Sequence, residues 1–304
     1  MVLILLKMDK FKTVLITVGL LWLLAFASSK LISGNTEALG SGIAIIPIEG
    51  AITLGGGGSI FSDGGSSNVV LSNLMKANKN AGIKAIVLEV NSPGGTVVAS
   101  KEIADAVKES EKPVVAWIRE IGASGAYWIA SDSDWIVADE LSITGSVGVI
   151  SSYLDFSGLL DNYNVSYERL VAGELKDTAN PYREMTSRER GLIQGKLNLI
   201  QREFINNVVE NRKLTDAQKN EISTGFFYLG IEAMELGLID EFGGREEAIN
   251  KAKELGNLEN GKVVEYKKKT NLMDLFNNLQ NKAFYSMGRG IGDSVTETNN
   301  GIFL

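Results

Sequence analysis

Apolar and polar positions along the chain follow two periods, and together they predict an α/β protein. Continuous apolar runs rich in β-branched residues predict buried strands; they lie at residues 43–52, 84–90, 113–118, 134–139 and 165–173. Between and after these runs, apolar residues recur at helical spacing. Continuous apolar strands that are separated by helices are typical of a mainly parallel sheet with both faces covered.

The helical stretches include short ones in the first half and a long one in the second. They lie at residues 69–80, from the turn after residue 92 to about residue 111, and at 124–131, 185–214, 215–222, 231–240 and 243–256. Thr186 or Ser187 is a suitable N-cap for the long helix, and Thr215 for the helix that follows it. The Gly/Ser-rich stretch 54–67 between the first strand and the first helix predicts a loop.

The N-terminal segment differs from the rest of the chain. Lys7, Lys10 and Lys12 precede a run without charge from Thr13 to Ser29. Such a run is near the lower length limit for crossing a bilayer core of about 30 Å. Two interpretations compete: an uncleaved anchor with its lysines in the cytoplasm, and a signal peptide cleaved after the A-x-A-like site at residues 25–27. The length of the run favours the anchor, and both interpretations place the remaining chain outside the cytoplasm.

The composition excludes several kinds of site. The chain of 304 residues has no histidine and no cysteine, and its formal net charge is −7. A Ser-His-Asp triad, a thiol protease and a zinc site built on His or Cys are therefore excluded. The acidic balance argues against a general nucleic-acid binder. A serine nucleophile in this chain needs lysine, a carboxylate or a chain terminus as its base.

Three turns that follow apolar strands are candidates for chemistry. The turn NSPGG at 91–95 has glycines that can leave backbone N–H groups uncovered, as an oxyanion hole requires. In GASGA at 122–126, small residues surround Ser124, as they surround a nucleophile on a strand-to-helix turn. The third turn is SITGSVGV at 142–149. Each has an ordinary alternative: a common turn, a serine N-cap and a polar connection, respectively.

Taken together and in this order, the turns resemble the signal peptide peptidase A family of serine proteases. The resemblance runs from about Ile43 to Glu254 and includes GELKDTANPYREMT at 173–186 and GIEAMELGLID at 230–240. It implies an α/β fold of the crotonase and Clp-protease kind, with repeated ββα units, preceded here by one N-terminal transmembrane helix. The implied organisation is an anchor or signal peptide at 1–33, a linker at 34–42, a protease domain at 43–257 and a C-terminal tail at 258–304, which is a docking arm or partly disordered.

The resemblance also implies the site residues. Ser124 matches the nucleophile and Lys176 the general base of a Ser–Lys dyad, while Ser146 matches the serine that positions the lysine. Gly95 and Gly125 match the oxyanion donors. A lysine base needs an apolar environment without a carboxylate beside it. Asp177 is adjacent in sequence, and on an extended segment its side chain points away from Lys176.

The activity that the resemblance implies is that of a membrane-anchored endopeptidase without metal or other cofactor. Its expected substrates are signal peptide remnants in the membrane, its expected assembly is a ring or dome of identical subunits, and its catalytic domain is expected on the extracytoplasmic side of the cell membrane. The alternatives are a related membrane protease that cleaves stomatin-like partners, a crotonase-type acyl-CoA enzyme and an inactive scaffold.

Overall fold

The structure is a computed structural model that describes residues 17–22, 42–55 and 66–266. Residues 17–22 are helical. In the rest of the described chain the strands are Gly42–Glu49 (β1), Ile83–Ser92 (β2), Val114–Ala123 (β3), Trp135–Ala138 (β4), Ile143–Gly145 (β5), Phe227–Leu229 (β6), Glu241–Phe242 (β7) and Lys262–Glu265 (β8). The helices are Ser67–Lys79 (α1), Val97–Lys108 (α2), Gly125–Ser131 (α3), Ser157–Asn162 (α4), Ser187–Arg212 (α5), Asp216–Ile222 (α6), Gly230–Glu235 (α7) and Arg245–Leu255 (α8).

The strands of the described residues form one mixed sheet, and the predicted α/β class is confirmed. Six strands follow the order β6-β5-β3-β2-β1-β8, and β4 and β7 extend the sheet from β3. Every pair is parallel except β5 with β6. Helices cross between β1 and β2 and between β2 and β3, whereas β4 and β5 follow one another without a helix.

Strand β3 is the element that positions the candidate site. Its first half pairs with β4, from Val115 to Ile118, and its second half pairs with β5, from Ile121 to Ala123. Two different strands therefore pair with the same edge of β3, one after the other along its length. The carboxyl end of β3 meets the end of β5 at the point where α3 begins, as expected of ligand sites at the carboxyl ends of parallel strands.

The core lies on both faces of the sheet because alternate residues of each strand point to opposite faces. On β1, Ala44, Ile46 and Ile48 belong to the larger core cluster, while Ile43 and Ile45 belong to the smaller one. The smaller cluster includes Ala248, Ile249 and Ala252 of α8. The complete burial of such isoleucines stabilises the fold by about 1.5–3 kcal/mol each.

The long helix α5 begins where the sequence predicts. The Thr186 hydroxyl accepts a hydrogen bond from the backbone N–H of Glu189, and the Glu189 carboxylate accepts one from the backbone N–H of Thr186. This capping box satisfies two donors that a helix start leaves without partners. Thr215 caps α6 in the same way with Gln218.

Several sequence-based boundaries differ from the structure. The predicted strand at 165–173 is wrong, because these residues form no strand. The predicted helix at 231–240 ends at Glu235, and a turn with Gly237 at φ 71° follows. Strand β8 lies inside the predicted tail and pairs with β1, so the domain extends beyond residue 257.

The predicted membrane anchor at 1–33 lies outside the described residues except for 17–22, as does most of the predicted linker. Of the predicted tail, residues 267–304 also lie outside them. Among the residues that are described, no helix has both the length and the apolar character that a membrane crossing requires.

Asp132, directly after α3, is a partly buried carboxylate whose charged form destabilises the fold. Burial raises its pKa to about 6, against the opposing effect of a hydrogen bond from Asn211. Its Oδ2 atom has no hydrogen-bond partner among the described residues. The folded pKa lies above the unfolded value of about 4, so the folded state binds more protons between these pH values. The charged form therefore destabilises the fold above about pH 6.

We expect Asp132→Asn to raise the free energy of unfolding by about 1 kcal/mol at pH 8, with little change at about pH 3, which lies below both pKa values, so that the carboxyl is mostly protonated in both states. Urea denaturation at the two pH values measures this difference. Glu210→Gln, which changes an exposed carboxylate, is the control. An equal gain at both pH values contradicts the assignment to ionisation of Asp132.

Candidate active site

Ser124 occupies a sharp turn between the end of β3 and the start of α3. Its backbone has φ 53° and ψ −125°, a conformation that is costly for a residue with a side chain. The backbone N–H of Ser124 donates to the carbonyl of Gly145 (2.9 Å), and its carbonyl accepts from the N–H of Trp128 (3.0 Å). The Ser124 hydroxyl makes no capping hydrogen bond. The N-cap alternative therefore does not explain this serine, and the strained turn is held by neighbours on both sides.

The residues that follow and face Ser124 have to be small because the backbone is closely packed here. A Cβ atom on Gly125 would lie 2.2 Å from the Ser100 hydroxyl oxygen. A Cβ atom on Gly95 would lie 2.0 Å from the Ile52 carbonyl oxygen. Gly94 has φ 97° and would place a Cβ 2.9 Å from that of Ser124. The glycines of the two turns thus allow both turns to meet beside the Ser124 hydroxyl.

The backbone N–H groups of Gly95 and Gly125 are available as donors. A Cβ on Gly125 would lie 3.4 Å from the Gly95 nitrogen, so the two turns are neighbours in space. Within the described chain, neither of these two N–H groups donates a backbone hydrogen bond. Two unpaired N–H groups beside a serine hydroxyl have the composition of an oxyanion hole.

Ser146 lies at the end of β5 and faces the same space as Ser124. Its backbone also has a positive φ of 53°. The Ser146 N–H donates to the carbonyl of Phe226 (3.0 Å), and its hydroxyl donates to the carbonyl of Gly225 (3.3 Å). The turn before β6 therefore holds Ser146 in place at the cavity.

A cavity of about 840 Å³ opens over these residues. Four of the five predicted site residues line it: Ser124, Gly125, Gly95 and Ser146. Its apolar wall includes Val97, Trp128, Val149, Ile150 and Phe204. The rings of Trp128 and Phe204 stack with centroids 4.5 Å apart. The size and the mainly apolar lining suit the side chains of a peptide.

Lys176 is the predicted site residue that the structure does not bring into this group. It is exposed, it lies in a turn at residues 174–179, and it is absent from the described residues that line the cavity. Its backbone N–H donates to the carbonyl of Gly173 (3.0 Å). The expectation of an extended segment around Lys176 and Asp177 is wrong, because these residues form a turn.

Comparison with known sequences identifies the family. Residues 106–259 match the sequence model of peptidase family S49, and residues 56–134 match the model of the Clp protease family.

The chain belongs to peptidase family S49.

Three relatives of this S49 chain extend the comparison. One is a candidate protease of Methanocaldococcus jannaschii, 37% identical over 71% of this chain and 69% of its own length. A candidate signal peptide peptidase of Enterococcus faecium is 34% identical over 69% of this chain and 65% of its own length. Protease 4 of Haemophilus influenzae is 31% identical over 71% of this chain but only 35% of its own length, so the S49 chain spans about a third of that relative.

The family match and these relatives support a serine protease, and the predicted resemblance is confirmed. The sheet is consistent with the Clp-protease-like fold that the resemblance implies.

Sequence reasoning missed part of the cavity wall of this S49 chain. Gln201 and Phe204 of α5 and Thr224 of the turn before β6 also line the cavity. Phe204 is one of the apolar residues that recur at helical spacing in α5. This spacing is typical of a core residue, so it did not indicate a functional site. The packing of α5 against α3 brings it there, and such a long-range contact leaves no local signal.

Proposed function

We propose that this S49 chain is a serine endopeptidase in which Ser124 is the nucleophile and Lys176 the general base. The observation that carries the proposal is the strained Ser124 turn, which faces an apolar cavity beside the free N–H groups of Gly95 and Gly125. Backbone strain of this kind persists where surrounding contacts impose it, and it is concentrated at functional sites.

The proposed reaction has two steps. Ser124 Oγ attacks the carbonyl carbon of a peptide bond while its proton passes to the neutral Lys176 amine. The N–H groups of Gly95 and Gly125 donate to the oxyanion. The C–N bond then breaks, and the leaving amine takes the proton from Lys176. Water, deprotonated by Lys176, hydrolyses the acyl-enzyme and restores Ser124.

We propose further that Lys176 reaches the serine of a second copy of the chain. Two features support this. Lys176 is exposed and away from the cavity wall of its own chain. The chain segment that precedes it, residues 154–170, also exposes large apolar side chains that are unusual on an isolated surface: Leu154, Tyr163 and Leu170, which are 70%, 74% and 94% exposed. Coverage by a second copy would bury these side chains, and burial of the ammonium favours the neutral amine that the reaction needs.

Mixing two inactive variants tests this assembly. Ser124→Ala supplies a lysine without a nucleophile, and Lys176→Ala supplies a nucleophile without the base. When the two are co-expressed, we expect roughly a quarter to a half of wild-type kcat/KM on a peptide substrate, because some sites receive one intact residue from each chain. Each variant alone is the control. A mixed oligomer that stays as inactive as its components would contradict a site shared between copies.

The proposed substrates are apolar peptides such as signal peptide remnants in the membrane. The mainly apolar cavity supports this class, and so does the name of the Enterococcus faecium relative. The charge-free run from Thr13 to Ser29 behind three lysines supports an anchor that holds the domain at the outer face of the membrane. Fractionation of cells that express the chain with and without residues 1–33 tests the anchor, which fails if both forms are found in the soluble fraction.

A further inference from the structure

A pair of arginines holds the carboxylate next to Lys176. The Asp177 carboxylate accepts two hydrogen bonds from Arg169, from Nε at 2.8 Å and from Nη2 at 2.6 Å. It accepts two more from Arg183, from Nε and from Nη2, both at 3.1 Å. All four bonds are charge-assisted and both guanidinium groups bind in the two-pronged geometry. The side chain of Asp177 is only 13% exposed.

One of these arginines, Arg183, also attaches this turn to the start of the long helix α5. Arg183 also donates from Nη1 (3.0 Å) and Nη2 (2.5 Å) to the Glu189 carboxylate, whose side chain is 3% exposed and belongs to the capping box with Thr186. Arg169 donates from Nη2 to the backbone carbonyl of Glu174 (2.7 Å). The position of the Asp177 side chain is therefore fixed from both sides of the turn.

Lys176 lies between Arg169 and Arg183 in the sequence but takes no part in their salt bridges. Glu174, on its other side in sequence, pairs with Arg188 at 2.8 and 2.9 Å. In the described part of the chain, no salt bridge involves the Lys176 ammonium. The carboxylates that flank the lysine are thus both occupied by arginine. Arg169 and Arg183 with Asp177 and Glu189 form a group with equal numbers of positive and negative charges.

This arrangement matters because a carboxylate within about 4–6 Å of an ammonium stabilises the charged form. A lysine that is paired in this way cannot accept a proton from serine. Protonation cannot remove the Asp177 charge near neutral pH, because hydrogen bonds from Arg169 and Arg183 hold the pKa of this carboxyl well below its usual range. Compensation by other cations is the remaining way to keep it from the lysine.

We propose that Arg169 and Arg183 are positioning residues that hold the Asp177 carboxylate and so leave the Lys176 amine free to act as the base. This inference rests on the proposed role of Lys176. It also explains how a dyad lysine can have an aspartate as its immediate neighbour in the sequence.

The test uses the pH dependence of kcat/KM with the full chain and one peptide substrate. We call Arg169 and Arg183, which both bind the Asp177 carboxylate, the arginine clamp. Arg169→Gln removes one of these two arginines but leaves the contacts between Arg183 and Glu189 in place. We expect the rise of kcat/KM with pH to move upward by about 0.5–1 pH unit, which lowers the rate about 3- to 10-fold at pH 7 but little at pH 10. The double variant Arg169→Gln/Asp177→Asn has the wild-type net charge, and we expect it to regain the wild-type profile.

A purely structural role gives a different result. It predicts that Arg169→Gln lowers kcat/KM by the same factor at all pH values and that the second substitution lowers it further; either outcome overturns the proposal. Arg183→Gln is a second probe in case Arg169→Gln fails to fold, and Asp177→Asn should restore its profile too. Arg190→Gln, an exposed arginine of α5, is the matched control.

An independent arm separates this inference from the proposed function. If Lys176→Arg keeps wild-type activity, the proposed role of Lys176 fails. If Lys176→Arg is inactive while Arg169→Gln has an unshifted profile, the dyad stands and only the arginine clamp is overturned.

Discussion

Replacing Ser124 with alanine is expected to lower kcat for peptide hydrolysis by at least about 10⁴-fold without loss of the fold. The substitution removes the only atom that is proposed to form a bond with the substrate. Alanine also fits the narrow space between the two turns without a steric clash, because it is smaller than serine; Gly94 lies close to the Cβ of residue 124 there. The positive φ at this position remains, and the hydrogen bonds of the Ser124 backbone to Gly145 and Trp128 do not depend on the hydroxyl.

The measurement is cleavage of a fluorogenic peptide by wild type and variant at equal concentration. Circular dichroism and size-exclusion chromatography establish that the variant folds and assembles like the wild type. Ser187→Ala, which changes an exposed serine at the start of α5, is the control and should retain full activity. Hydrolysis by folded Ser124→Ala within tenfold of wild type would remove this serine from the mechanism.

Lys176→Arg is expected to be as inactive as Lys176→Ala, which is the second large effect. Arginine keeps the positive charge but does not give up its proton in a protein, so it cannot serve as a base. A lysine that supplied only charge would be replaced at least in part by arginine. Base catalysis also predicts that wild-type kcat/KM rises with pH as the amine loses its proton.

Profiles of kcat/KM from about pH 6 to about pH 10 distinguish these roles. Lys196→Arg, at an exposed position of α5, controls for a general effect of the substitution. Ser146→Ala should have a milder effect than either change at Lys176, because this hydroxyl is proposed to orient the amine. A Lys176→Arg rate within about tenfold of wild type, or about 1.4 kcal/mol in the barrier, contradicts the dyad.

The sequence predicted the central fold because its signals there are local. The apolar runs of β1 and β2 are continuous, and Thr186 with Glu189 forms a capping box that is recognisable from spacing alone. The strand that was predicted at 165–173 is not present in the structure. Its β-branched and aromatic residues, such as Val165 and Tyr167, are exposed in the structure and pack against no sheet. The apolar residues of that segment lie on the surface of the chain. The pattern of apolar residues in the sequence does not distinguish such exposed apolar residues from those of a buried strand.

The candidate site was predictable only in part. The small residues around Ser124 and the Pro-Gly-Gly turn are visible in the sequence, and the structure places both turns together. The strained backbone of Ser124 is imposed by partners that are distant in sequence, such as Gly145. Nor does the sequence show that Asp177 is held by Arg169, because that contact depends on how the turn folds.

The distance of Lys176 from the cavity has a consequence for the newly made enzyme. Because Lys176 is not among the described residues that line the cavity, we expect a lone chain with its serine turn and donor groups formed to be inactive until a second copy supplies the lysine. Under the proposed assembly, hydrolysis would begin only where chains accumulate, and its rate would increase more steeply than the amount of protein. Dilution below the concentration at which chains assemble would then stop hydrolysis, and isolated chains would not cleave the proteins around them.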